Sequence, residues 1–214
     1  TEATVELARE RGACLHSEHT RYGKGEFPWE RRAAAVNELT SFEPELDWET
    51  LRTNMKQYGV RNATLMAVAP VESSSVVINS TNGIEMPMSL ITVTESKAGS
   101  LIQVAPEYNK LKNRYQLMWE QRDCDGYLKT ASVLAAYVDQ SISTNTFYNP
   151  AHFADRKVPT TLIARNLMLA HRWGLKTFYY SLINKQGSKG QDELPELKQV
   201  DIEASEEDCE ACKL

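Results

Sequence analysis

Three short stretches carry side chains that could do chemistry. Near the C-terminus, Cys209-Glu-Ala-Cys212 sets two thiols three residues apart, able to close into a disulfide and to be reopened by thiol exchange. Their acidic neighbours disfavour a thiolate, so this is not a pre-activated nucleophile. Zinc would need two further ligands at suitable spacing. None stands nearby: His16 and His19 form a His-x-x-His with no third partner, and His152 and His171 are isolated. The second stretch, Tyr179-Tyr180, puts two phenols side by side. Neighbours on a strand point to opposite faces, so one ring could face a core and the other a surface. The chemistry open to a phenol is one-electron oxidation; ordinary β-prone filler is the plainer reading. In Pro70-Val71-Glu72-Ser73-Ser74-Ser75 three hydroxyls follow one another. At a helix start, beside free backbone N–H groups, they would make an anion site or simply a serine cap.

The elements that must position these groups follow from periodicity. Residues 1–11 read as a helix ending at Gly12, and 13–46 as loop with a short helix near 29–39. Asp47 is a plausible N-cap for a helix carrying Trp48, Leu51, Met55 and Tyr58 and stopping at Gly59. Ala63–Ala69 is a short apolar run ended by Pro70, the length of a buried strand. Residues 72–75 read as a loop feeding a short helix at 76–78. Residues 90–94 and 101–105 read as strands around a turn at Lys97-Ala98-Gly99. Three helices are expected next: a stripe of Tyr108, Leu111, Tyr115 and Met118; a stripe of Leu128, Ala131, Leu134, Ala135, Val138 and Ile142; and a third with Pro159 at N1, running to Trp173 before Gly174. Lys176–Tyr180 is a β-prone run. Strands alternating with helices predict an α/β fold.

Composition narrows the function classes. The 214 residues are 42% hydrophobic and 25% charged, ordinary globular usage in a chain long enough to bury a core without staples. No apolar run reaches the roughly 18–20 residues of a membrane span, and the charged start lacks the pattern of a signal peptide. The net charge of −5 argues against general nucleic-acid binding. That charge is concentrated: residues 187–214 hold nine Asp/Glu against three Lys, a net of −6, leaving +1 for the rest. Such composition cannot offset chain entropy, so 185–214 reads as a mobile acidic tail.

Taken in order, these motifs resemble the C-terminal part of the large subunit of class Ia ribonucleotide reductase. The residues that carry the likeness are Arg61–Met66, Pro70-Val71-Glu72-Ser73-Ser74, Asn79–Glu85, Asp125–Leu128, Asp139–Ser143, Gly174–Tyr180 and the terminal Cys209-Glu-Ala-Cys212-Lys-Leu. The resemblance implies that residues 1–184 form the C-terminal part of a ten-stranded α/β barrel with associated helices. It implies that Glu72, Ser73 and Ser74 hold the diphosphate of a ribonucleoside diphosphate, with Ser73 where the family usually has Thr. Tyr179 and Tyr180 match a radical relay, with Tyr180 on the small-subunit side. Cys209 and Cys212 match the pair that re-reduces the active-site disulfide and exchanges with thioredoxin or glutaredoxin.

The family's thiyl-radical cysteine, its active-site redox pair and its allosteric sites would lie in an upstream piece. The expectation is therefore either a fragment of the large subunit or, as the preferred reading, a subunit split in two of which this is the second part, beginning in mid-helix. The small subunit would carry the di-iron tyrosyl radical, this chain binding no metal or cofactor of its own. The resemblance implies that the small subunit's C-terminal tail docks against the helix after Pro159, where Ile163, Leu167 and Ala170 share a face that is either core or groove. Cytoplasmic location is implied, with no membrane or nucleic-acid partner. Cys14 and Cys124 are expected to be structural. A non-catalytic module derived from a reductase is the rival reading.

The tail yields a first prediction. Some 29 residues separate Tyr180 from Cys209, a flexible reach of roughly 30 Å at ~5–6 Å times the square root of residue number. In the assembled enzyme, Cys209→Ser with Cys212→Ser is expected to allow one burst of product with thioredoxin and then arrest, with partial recovery on adding a small dithiol. Normal turnover by the double variant would remove the shuttle assignment.

Overall fold

A computed structural model describes residues 1–41, 45–96 and 99–185. The acidic tail, with Cys209 and Cys212, and the turn at Lys97-Ala98 lie outside the described residues. Two helices open the chain as their spacing predicts. α1 (Glu2–Arg11) is followed by Gly12. α2 (Trp48–Tyr58) starts on Asp47, whose carboxylate accepts the Thr50 N–H, and stops at Gly59 with φ of 72°. A Cβ on Gly59 would meet that of Ala13 at 2.7 Å, so both conformation and space require glycine there. Between the helices, the expected helix near 29–39 is two 3-10 turns, Pro28–Arg31 and Ala34–Glu38. Val5, Tyr22, Phe27, Met55 and Val60 make a first buried cluster.

The rest is organised around the extended segment 140–148. On one edge the Val68 N–H donates to Ser141 O at 3.0 Å and the Ser143 N–H to Val68 O at 2.9 Å, a parallel bridge between Val68 and Ile142. On the other edge β3 (Thr146–Tyr148) pairs in parallel with β4 (Ser181–Ile183). Three parallel segments thus lie in the order 66–68, 140–148, 179–184. A separate antiparallel hairpin, β1 (Ile91–Ser96) with β2 (Gly99–Val104), forms where the sequence predicts it.

Several expectations change, each for a physical reason. Ala63–Ala69 is not a buried strand: Met66 is 50% exposed, because the segment finds a partner on one edge only. Residues 72–75 are not a loop; α3 (Glu72–Val77) begins at Glu72, with the Ser75 N–H donating to Val71 O. The stripe from Tyr108 to Met118 breaks after one turn, α4 (Tyr108–Leu111). The Tyr115 hydroxyl donates to Pro106 O and the Met118 N–H to Pro87 O, folding the chain back on itself.

α5 (Asp125–Ala135) ends before Val138 and Ile142. Both are buried, Val138 just past the turn that ends the helix and Ile142 from the extended segment. The Asp139 carboxylate accepts the N–H groups of Leu65 and Met66, which draws the chain out of the helix. Lys176–Tyr180 lies outside the strand, which begins at Ser181; the Lys176 ammonium is held by the carbonyls of Asp139 and Gln140. α6 (Thr160–Arg172) starts one residue later than expected, with Pro159 as N-cap, and ends before Gly174 at φ 83°.

α5 and α6 cover β3 through a second cluster that includes Leu128, Ala131, Phe147, Tyr148, Ala170 and Trp173. Polar ties cross it: the Tyr148 hydroxyl donates to Asn166 Oδ1, and Asn166 Nδ2 donates to the Asp125 carboxylate, which also pairs with Arg165. Cys124 is fully buried; its Sγ accepts the Phe147 N–H at 3.1 Å and donates to Phe147 O at 2.9 Å. Its structural assignment is in keeping with this clamp on β3. Burial pushes its thiol up to about 12, leaving a thiolate fraction of roughly one in ten thousand at pH 8. Alkylation of the native chain at pH 8, read by peptide mass spectrometry, is expected to spare Cys124 until denaturant is added. Labelling of Cys124 at the rate of an exposed thiol would refute the clamp.

Candidate functional site

The tyrosine pair and Pro70, which opens the hydroxyl-bearing stretch, border one cavity. A space of about 230 Å³ is lined by Val68–Pro70, Asn82–Glu85, Met88, Ser143, Asn145, Tyr179, Tyr180 and Leu182. It sits beside all three parallel segments, with the residues leading into α3 on one side and the tyrosine pair on the other.

On the α3 side, the Val71 N–H donates to both the main-chain O (3.1 Å) and the Oδ1 (3.0 Å) of Asn82. This fixes how the chain enters the helix. The first N–H groups of a helix have no intrahelical partner, and the described backbone places Glu72, Ser73 and Ser74 in that first turn. Ser74 is exposed and Ser75 buried. The arrangement can present main-chain donors and a hydroxyl to an anion.

On the other side, Tyr179 and Tyr180 do not point to opposite faces as strand alternation predicts. Both are half exposed, at 51% and 57%, and their ring centroids are 4.1 Å apart with planes at 53°. The reason lies in the ladder. In a regular parallel pair one residue both donates to Thr144 O and accepts the Thr146 N–H. Here Tyr179 donates to Thr144 O at 2.9 Å, whereas Tyr180 O accepts from Thr146 at 2.8 Å. Two tyrosines therefore stand opposite the single residue Asn145, which is the geometry of a bulge and breaks the alternation of faces.

Asn145 and Glu85 complete the site, and residue-by-residue reading assigned neither a role. Asn145, 9% exposed, accepts the Tyr180 N–H on Oδ1 at 3.1 Å and donates through Nδ2 to Glu85 Oε1 at 2.7 Å. A Cβ at residue 83 would meet the Glu85 carboxylate at 2.4 Å, so a larger side chain there would shift that carboxylate. Glu85 stands in the Asn79–Glu85 motif and Asn145 two residues past the Asp139–Ser143 motif, so position was the available signal, but neither spacing reveals the contact. Beneath, burial and the nearby Glu85 carboxylate raise the pKa of the Tyr127 phenol.

Elsewhere, His16 and His19 do gain a neighbouring oxygen donor, Glu18, with ligand atoms within 4.8 Å of one another; the three are exposed surface groups. On α6, Ala170 is buried and Ile163 packs on the core, while Leu167 and Met168 are 46% and 73% exposed. Leu167 is therefore a surface residue. Among the described residues no helix is long and apolar enough to cross a membrane.

The sequence of this fold and site matches the family model described as the ribonucleotide reductase barrel domain over residues 1–181, and the chain belongs to that family. Among its relatives, the ribonucleoside-diphosphate reductase subunit alpha of Buchnera aphidicola subsp. Baizongia pistaciae is 44% identical, the alignment covering 99% of this chain and 27% of that protein. Subunit alpha of Escherichia coli reductase 1 is 38% identical, at 99% and 27% coverage. That of enterobacteria phage T4 is 35% identical, at 99% and 28%. The chain thus spans about a quarter of the length of the curated relatives it matches.

Proposed function

We propose that this chain is the C-terminal component of a class Ia ribonucleoside-diphosphate reductase large subunit, working with an upstream piece and a small radical-generating subunit. The reaction replaces the 2'-hydroxyl of a ribonucleoside diphosphate by hydrogen. The observation that carries the reading is the one cavity bordered by both Pro70, at the entry to α3, and the tyrosine pair. In this reading the substrate diphosphate lies at the start of α3, held by the main-chain N–H groups of Glu72, Ser73 and Ser74 and by the hydroxyls of the two serines. The helix dipole favours that charge.

The phenols supply the radical path. An oxidising equivalent arriving from the small subunit takes an electron from Tyr180, with loss of the phenolic proton. Tyr179 then reduces Tyr180 and passes the vacancy inward. Ring contact at 4.1 Å suits such a transfer, and half exposure suits a pair that an upstream piece and a small subunit would cover. The upstream piece would pair with the open edges of the parallel segments and complete the ten-stranded barrel. After each turnover the Cys209–Cys212 dithiol gives two electrons and two protons to the active-site disulfide, becoming a disulfide that thioredoxin or glutaredoxin reduces.

Two tests follow. Tyr179→Phe and Tyr180→Phe each remove one oxygen from a half-exposed ring and keep its volume, so folding and subunit binding are expected to stay near normal while turnover falls below detection. Substantial activity in either variant would dismiss the relay. Leu167→Glu, on the exposed side of α6, is expected to change stability by no more than about 0.5 kcal/mol. Small-subunit affinity, measured by titration of activity, should fall at least about tenfold. Unchanged affinity would move the docking face elsewhere.

A further inference from the structure

We propose that Asn145 is a positioning residue for radical transfer, holding the split register in which Tyr179 and Tyr180 touch. This rests on the relay reading given above. The observation behind it is the bulge. Opposite Asn145 the ladder uses the N–H of Tyr179 and the O of Tyr180, so the Tyr180 N–H has no main-chain partner in this ladder. The Asn145 side chain takes that N–H at 3.1 Å. A regular register would instead give the Tyr180 N–H to Thr144 O, restore the alternation of faces and turn the two rings apart. The side-chain acceptor thus stabilises the one arrangement that keeps the phenols in contact.

Asn145 can act as a fixed acceptor because its amide is itself held. Its Nδ2 donates to Glu85 Oε1 at 2.7 Å, a bond to a charged acceptor that sets which end of the amide faces Tyr180. Glu85 in turn belongs to the turn whose Asn82 holds the Val71 N–H at the entry to α3. Residues 82–85 therefore brace the anion loop and, through Asn145, the tyrosine pair.

The test uses the assembled enzyme, made of this chain, the upstream piece and the small subunit. It reads kcat, substrate KM, small-subunit affinity and hydrogen–deuterium exchange of the Tyr180 amide. Asn145→Leu removes the acceptor at similar volume and is expected to lower kcat about tenfold or more with KM and affinity within about twofold. The Tyr180 amide should exchange about tenfold faster. Asn145→Asp keeps the acceptor but sets two carboxylates face to face, and should lose activity similarly.

Adding Glu85→Gln restores a donor to Asp at 145 and should return kcat to within about threefold of the parent, whereas Glu85→Gln should not rescue Asn145→Leu. A purely structural role would raise KM and weaken docking together with kcat and would show no such exchange of partners. Full activity in both single variants, with Tyr180→Phe inactive, would overturn the positioning role and leave the relay standing. Failure of the Asp–Gln pair to recover would overturn it equally, even where Asn145→Leu does not fold. Turnover by Tyr180→Phe would remove the relay and this role with it.

Discussion

The extended segment 140–148 is the piece on which the rest depends. A β-segment hydrogen-bonded on both edges fixes the relative position of everything paired to it. Here its odd-numbered groups, Ser141 O and the Ser143 N–H, hold Val68. Its even-numbered groups, Thr144 O and the Thr146 N–H, hold Tyr179 and Tyr180. Residues far apart in sequence, Pro70 and Tyr180, come to border one cavity for that reason. The segment is in turn held from below: Cys124 occupies both main-chain groups of Phe147, and Asn166 ties Tyr148 to α6.

A second constraint is local. The turn Asn82-Gly83-Ile84-Glu85 reaches both halves of the site, through Asn82 to Val71 and through Glu85 to Asn145. A Cβ at residue 83 would meet the Glu85 carboxylate, so a larger residue there would shift the group that Asn145 donates to. The outcome is a site whose polar parts rest on buried or half-buried neighbours, while the two phenols stay open to solvent. That is a sensible division for groups proposed to exchange electrons across an interface, since the supports are fixed and the redox groups are accessible.

Sequence alone determined the elements whose signals are local. Asp47 with Gly59 bounded α2, Pro159 with Gly174 bounded α6, and the paired strands β1 and β2 lie where β-prone runs predict them. Caps, stops and turns act within a few residues, so spacing reveals them. Family membership was legible for a related reason: motifs such as Pro70–Ser74 and Gly174–Tyr180 keep their residues in order along the chain. Glu72, Ser73, Ser74, Tyr179 and Tyr180 could therefore be named from the sequence, although the role of each remains a proposal.

Tertiary structure decided what depends on partners distant in sequence. Asp139 draws residues 138–142 out of the helix their periodicity suggests, because its carboxylate is needed by the N–H groups of Leu65 and Met66. Ala63–Ala69 reads as a buried strand by apolarity, yet it has a partner on one edge only and stays exposed. The bulge opposite Asn145 reverses the alternation that places neighbouring side chains on opposite faces, and nothing in Tyr179-Tyr180 announces it. A main-chain register is set by which hydrogen bonds two strands can make together, a property of the pair that neither strand's sequence contains.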